Sequence, residues 1–206
     1  NGTTAANNRT TVANNRTTAA NNGTTSGRGK ASIRELDGER VAWVDEDITR
    51  SKPKDVSMEK YVKQYIENME SSNSVGIHIR RGDYLLSDNF RGICEVDYYK
   101  RAIDKILQDG EKHVFYLFSN DQKWCEEYIL PLLGNYEIIF VTGNIGRDSC
   151  WDMFLMTHCK DLIIANSSFS WWGAFLNKRG GRVVTPKRWM NRNIRYDLWM
   201  PEWIRI

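Results

Sequence analysis

The 206-residue sequence predicts an α/β fold with a parallel sheet, and three features carry that prediction. Apolar runs at 75–79, 113–118, 137–141, 162–165 and 182–185 have the length of strands and are rich in branched and aromatic residues, as strands buried on both faces are. Stretches of helical period separate them, so strand and helix alternate as in βαβ units. The main runs end on polar residues where a helix would open. A doubly wound sheet of Rossmann type follows, carried by 75–185. The tryptophan-rich end folds back across it, so the compact domain is 75–206.

Residues 1–29 stand apart. Thr3-Thr4-Ala5-Ala6-Asn7-Asn8-Arg9 opens a tandem repeat that runs to Gly23 and holds no aromatic and almost no large aliphatic side chain. Such a segment cannot bury enough surface to offset chain entropy and is expected to be disordered. Its Asn-x-Thr triplets at Asn1, Asn8, Asn15 and Asn22 offer a glycosylated stalk as the alternative. Residues 30–74 carry mixed signals: a short strand over 41–44, then a helix over 57–69 with Met58, Tyr61, Val62, Tyr65, Ile66 and Met69 on one face. Farther on, Asp97 reads as the N-cap of a helix over 97–108, with Gly110 past its end. A helix over 121–130 is disturbed by Pro131, and another spans 148–158. The last helix opens at Asn166-Ser167-Ser168, carries Trp171-Trp172-Gly173-Ala174-Phe175-Leu176 and stops near Gly180.

Composition narrows the function. A net charge of +3 is too balanced for a nucleic-acid-binding face, so no nucleic acid partner is expected. Eight tryptophans favour aromatic surfaces of the kind on which sugars stack. No apolar run approaches the roughly 18–20 residues of a membrane span, and no signal-peptide pattern is present. Cys94, Cys125, Cys150 and Cys159 form no CxxC and no metal-like spacing with the three histidines, and they read as free thiols of a reducing compartment.

In a doubly wound sheet the residues after each strand gather along one edge. Three polar sets stand there: His78, Arg80, Arg81 and Asp83; Ser119, Asn120 and Asp121; Asn166, Ser167 and Ser168. Guanidinium groups present a fork of donors that matches phosphate oxygens, and a helix opening at Ser167-Ser168 would add unpaired N–H groups and a favourable dipole. Asp121 and Ser168 read equally as plain N-caps, and the arginines as partners of Asp83 in a surface salt bridge. There is no G-x-G-x-x-G and no P-loop, which disfavours a dinucleotide coenzyme or an NTPase. No bridging metal is expected, so Arg80 and Arg81 would supply the positive charge for a diphosphate.

These residues also carry a resemblance. His78-Ile79-Arg80-Arg81-Gly82-Asp83-Tyr84 resembles the first motif of the α-1,2-fucosyltransferases, glycosyltransferase family 11. Leu117-Phe118-Ser119-Asn120-Asp121 with Trp124 is similar to a second motif, with Asn120 replacing an Asp. Asn166-Ser167-Ser168-Phe169-Ser170-Trp171-Trp172-Gly173-Ala174 resembles the most specific one. Pro186-Lys187, Trp189 and the closing Pro201-Glu202-Trp203-Ile204 also fit. The resemblance implies the carboxyl-terminal, donor-binding half of a GT-B-type enzyme. It implies inverting transfer of L-fucose from GDP-fucose to the 2-hydroxyl of a galactose-terminated glycan, with no metal or other cofactor. By the same similarity Arg80 and Arg81 would hold the diphosphate, joined by Ser167 and Ser168 and the neighbouring Asn166. Asp121, with Asn120 beside it, would read guanine or ribose, and His78 would shape the pocket. An inverting step needs a base for the acceptor hydroxyl, and Asp83 is the candidate, with Arg81 as its catalytic neighbour. Such an enzyme would work in the cytoplasm at the inner membrane surface.

The family opens with a Gly-Leu-Gly-Asn-Gln-type motif in an amino-terminal domain, and that motif does not occur here. Residues 30–74 then read as a remnant or connector of that domain, and the chain as a fragment or a truncated, inactive nucleotide-sugar-binding homologue. A rival of another class is adhesion through Arg81-Gly82-Asp83, which four unpaired cysteines argue against.

Overall fold

The computed structural model of the chain describes residues 32–36, 39–43, 58–142, 144, 146–192 and 197–206. The repeat at 1–29 lies outside the described residues, as do 30–31, 37–38 and 44–57. The strand expected over 41–44 is part of a hairpin: β1, Ser32–Leu36, pairs antiparallel with β2, Glu39–Trp43.

The helix expected over 57–69 is α1, Met58–Glu70, and it buries Val62, Tyr65 and Met69, which the helical period places on one face. β3, Ser74–Ile79, follows and is buried along its whole length. Then come α2, Val96–Leu107, and β4, Val114–Ser119. α3 begins as Gln122–Trp124, passes through a π turn at Cys125–Ile129 and ends as Leu130–Leu133. After β5, Glu137–Val141, come α4, Cys150–Met156, and β6, Asp161–Ile163. The chain closes with α5, Ser168–Phe175, β7, Val183–Thr185, and β8, Ile204–Arg205.

The six strands β3 to β8 form one parallel sheet in the order β5-β4-β3-β6-β7-β8, the doubly wound arrangement that the alternation predicts. Period-2 alternation splits the core into two layers. Val75, Ile77, Ile79, Phe115 and Leu117 pack with α2 and α3, while Tyr116, Phe118, Leu162 and Ile164 pack with α1, α4 and α5. Burying each such aliphatic or aromatic side chain contributes about 1.5–3 kcal/mol. Gly76 lies in the second layer, where an added Cβ would come within 2.8 Å of Leu162 and 2.9 Å of Cys159.

Several expectations are corrected. α2 is capped by Glu95 without a side-chain bond, because Asp97 already lies in the first turn and pairs with Arg101 instead. α3 does not stop at Pro131: the residue falls in the first turn of the final segment, where its missing N–H is tolerated. α5 ends at Phe175, well before Gly180. The closing segment does more than fold back, since Ile204–Arg205 adds a sixth strand against β7. All four cysteines are free, as expected. No helix among the described residues is long and apolar enough to cross a membrane.

Candidate active site

Chain connections diverge at the middle of this sheet. β3 leads to β4 on one side, whereas its neighbour β6 leads to β7 on the other, so the switch point lies between β3 and β6. Ligand crevices of open α/β sheets form at such points, outside the carboxyl ends of the strands. A cleft of about 840 Å³ runs along this edge. It draws on four strand ends: His78 and Arg80 from β3, Ser119 and Asn120 from β4, Asn144 beyond β5, and Ser167 and Ser168 beyond β6. Two buried tyrosines of α2 brace its floor. The Tyr99 hydroxyl donates to the His78 carbonyl at 3.1 Å, and the Tyr98 hydroxyl to the Ile164 carbonyl at 2.5 Å. The ends of β3 and β6 are thereby tied to one helix.

The two adjacent arginines part company. Arg80 lies on the cleft, half-exposed, with one ion pair to Asp83 at 2.8 Å and its guanidinium over the Tyr84 ring. Arg81 turns behind the loop. Its guanidinium lies 4.1 Å from the centre of the Trp124 ring, between Glu95 at 3.3 Å and Asp121 at 3.4 Å. The approach of Arg81 Nε to Asp121 is an ion pair without hydrogen-bond geometry, since that nitrogen has no hydrogen-bond partner among the described residues. Asp121 caps α3 by accepting from the Trp124 N–H and does not line the cleft.

Asn120 seats the loop that carries the arginines. Its Oδ1 accepts from the Arg81 backbone N–H at 2.9 Å. Gly82 has φ of 50° and approaches Asn120 so closely that a Cβ would lie 2.7 Å from Nδ2. A side chain there meets both a left-handed backbone and a clash.

On the far side of the switch point Ser167, not Ser168, is the N-cap of α5, and its side chain makes no cap bond. The first-turn N–H groups of α5 therefore lack a side-chain cap at the edge of the cleft. Asn166 is buried away from the cleft, where its Nδ2 donates to the Trp189 carbonyl at 3.1 Å. His78 packs against Phe169 with ring centres 5.4 Å apart. Burial, reinforced by Arg80, pushes its imidazole down to about 3, so the ring is uncharged at neutral pH, and its buried Nδ1 has no hydrogen-bond partner among the described residues.

Of the residues singled out from the sequence, the structure brings together His78, Arg80, Asp83, Asn120, Ser167 and Ser168, and sets Arg81, Asp121 and Asn166 outside the cleft lining. It also adds Asp152, from the first turn of α4, and Asn144, which sequence reasoning missed. The Asn144 amide donates to Asp152 Oδ1 at 2.6 Å. Burial raises the Asp152 carboxyl to about 6, offset in part by that bond. Their local signal is weak, because an acid in a helix's first turn ordinarily reads as a complement to the dipole.

The family model described as "Glycosyl transferase family 11" matches residues 55–206. The chain belongs to this family. Its fold is the Rossmann-like sheet of a GT-B-type glycosyltransferase. The O-antigen biosynthesis glycosyltransferase WbnK of Escherichia coli is 39% identical over 142 residues, covering 66% of this chain and 46% of that protein. An alpha-1,2-colitosyltransferase of Escherichia coli is 36% identical over 151 residues, 70% of this chain and 51% of its own length. The galactoside alpha-(1,2)-fucosyltransferase 2 of Mus musculus is 30% identical over 122 residues, 58% and 34% respectively. The chain spans a third to a half of the length of these curated relatives.

Proposed function

We propose that the protein transfers L-fucose from GDP-fucose to the 2-hydroxyl of a terminal galactose, with inversion and without a metal ion. The observation that carries this reading is the placement of Arg80 and the amino end of α5 on opposite sides of the switch point, in a chain of this family. When the glycosidic bond to the diphosphate breaks, negative charge develops on the departing phosphate. A fixed guanidinium and a ring of N–H groups aimed at that point stabilise it. Asp83, on the cleft rim beside Arg80, is the group that accepts the proton of the acceptor hydroxyl. Arg81 acts as a positioning residue that holds the loop through Glu95, Asp121 and Trp124. The names of the relatives, α-1,2-fucosyl- and colitosyltransferases, support a 6-deoxy sugar donor and a 2-hydroxyl acceptor.

The test is thermal shift with GDP in EDTA and in Mg²⁺, followed by mass-spectrometric detection of fucose transfer to a galactoside. GDP at 100 times its dissociation constant should stabilise the fold by about 2.7 kcal/mol by mass action, equally in both buffers. Asp83→Asn should keep GDP affinity and lose turnover. No stabilisation by GDP, or stabilisation that needs Mg²⁺, would refute the reading.

A further inference from the structure

We infer that the segment between β7 and β8 positions Arg80: Asn191 and Arg192 clip the loop that follows β3, and the ring stack carried by this loop aims the Arg80 guanidinium into the cleft. The inference rests on the nucleotide-sugar reading above, in which Arg80 meets the diphosphate, and adds the residues that set this cation in place.

The loop has no hydrophobic reason to hold its position. Its 3₁₀ turn, Gly82–Leu86, buries no residue, and Leu86 is 90% exposed. Loops with so little buried apolar surface open easily. Turn bonds order it locally, from the Tyr84 N–H to the Arg81 carbonyl at 2.9 Å and from the Arg91 N–H to the Ser87 carbonyl at 3.0 Å. Such bonds shape a turn without fixing its place on the domain.

Polar bonds from a distant segment fix it. The Asn191 amide has two hydrogens, and it donates to the Asp88 and Arg91 carbonyls, both at 2.9 Å. Its backbone N–H donates to the Asn89 carbonyl at 2.8 Å, and Arg192 Nε donates to Asn89 Oδ1 at 2.8 Å. Four bonds from two consecutive residues therefore converge on 88–91. Past the end of β6 the buried Asn166 amide, which donates to the Trp189 carbonyl, also reaches the Phe90 carbonyl at 3.5 Å. One side chain thus touches both segments.

The clipped stretch carries the stack. The Phe90 ring lies on Tyr84 with centres 4.7 Å apart and planes 19° from parallel. The Arg80 guanidinium lies over the same Tyr84 ring, 5.4 Å from its centre, and its ion-pair partner Asp83 belongs to the same turn. Both the ion pair and the ring contact of Arg80 come from this loop. A long guanidinium side chain otherwise samples many rotamers, and holding it ready before the ligand arrives reduces the entropy lost on binding.

The experiment is calorimetric titration of the chain with GDP and with pyrophosphate. It compares Asn191→Asp, Tyr84→Leu and Tyr84→Phe, each in the parent and in an Arg80→Ala background. Asn191→Asp keeps the size of the side chain and removes both donors, and Tyr84→Leu removes the ring. Each should weaken GDP and pyrophosphate alike, by about fivefold, within the range of a lost ring–cation contact or hydrogen bond. Tyr84→Phe keeps the stack and should bind as the parent does. In the Arg80→Ala background neither Asn191→Asp nor Tyr84→Leu should weaken binding further, because changes that act through one group are not additive. A general structural loss would appear in both backgrounds and would overturn the inference. So would a Tyr84→Phe variant as weak as Tyr84→Leu, or a loss confined to GDP, since either assigns the loop a direct contact with the ligand. Parent-like affinity in both Asn191→Asp and Tyr84→Leu sinks it as well, although the nucleotide-sugar reading stands. If the parent binds neither GDP nor pyrophosphate, that reading falls and the inference falls with it.

Discussion

The two edges of the central sheet are built from the same residue types and put them to different uses. At the amino edge Arg182 donates to Asp161 at 2.5 Å, to Asp109 at 2.7 Å and to the Ile106 carbonyl at 2.9 Å. Arg179 donates to the carbonyls of Met69, His158 and Glu70, and the His113 ring lies 3.0 Å from Asp109. Asp109, His113 and Asp161 are close enough to share a cation, but the Arg182 guanidinium already sits on both carboxylates. Among the described residues at the carboxyl edge, Arg80 has one ion-pair partner, Ser167 caps no N–H with its side chain, and Asn144 Oδ1 has no hydrogen-bond partner. A cleft of about 650 Å³ opens at the amino edge as well, so volume does not separate the two. Charge pairing does: the amino edge neutralises its charges, although the buried His113 Nδ1 there also lacks a partner among the described residues. Charges that neutralise one another stabilise the fold, whereas a cation and acceptors left open at a strand-end crevice mark the place for a ligand.

The largest effect that would sharpen this contrast is at Arg182. Asp161 is almost wholly buried, so Arg182→Ala strands a buried carboxylate and should cost about 3–5 kcal/mol. Urea unfolding measures the loss, and GDP titration of the folded protein should show unchanged affinity. A variant that kept its stability and lost GDP would reverse the roles of the edges.

The paired arginines come next. Arg80→Ala removes a half-exposed ion pair of little structural value, so the melting temperature should hold while GDP affinity falls by about 1.5–3 kcal/mol. Arg81→Ala should do the reverse, costing about 1–3 kcal/mol of stability through Trp124 and its two carboxylates, with a smaller change in GDP affinity. Equal behaviour of the two variants in both assays would erase the distinction drawn from their geometry.

Acid titration should separate the edges by sign. Asp152 sits near 6 in the folded protein, above the ordinary carboxylate value near 3.9, so the folded state binds that proton more tightly than the unfolded chain. Its contribution is complete below about pH 4 and is lost as pH rises through about 6. Asp152→Asn should therefore gain on the order of 1–3 kcal/mol at pH 7 without ligand. Asp109 is held down at about 2 by the Glu111 N–H and His113, with Arg182 helping. Its contribution is present above about pH 4 and is lost as pH falls toward 2. Denaturation curves of the parent, Asp152→Asn and Asp109→Asn between pH 2 and 8 test both signs; a parent curve indifferent to Asp152→Asn between pH 4 and 7 would contradict the burial of that carboxylate.

The smallest expected effect is at Gly82. Gly82→Ala meets a positive φ and the nearby Asn120 amide, and should cost about 1 kcal/mol while loosening the loop that carries Arg80. A neutral result by thermal melting would mean that the loop shifts to accommodate a Cβ.

Much of this molecule is determined by sequence alone. The alternation of apolar runs with helical periods dictates a parallel doubly wound sheet, because strands buried on both faces can satisfy their backbone only beside other strands joined by helical crossovers. The sheet in turn sends His78, Ser119 and Ser167 to one edge. Tertiary structure decided the rest. Within a strand period 2 tells which face a residue takes, but past the last ladder bond that guide is gone. The backbone at Arg81 and Gly82, turned against Asn120, sends Arg80 to the cleft and Arg81 behind it. β8 is two residues long and exists only where Thr185 offers a ladder to join, so no local pattern reveals it. Asp152 has the local signal of any acid in a helix's first turn. It enters the cleft because α4 crosses from β5 back to β6 at the centre of the sheet, a long-range packing outcome that no short stretch of sequence encodes.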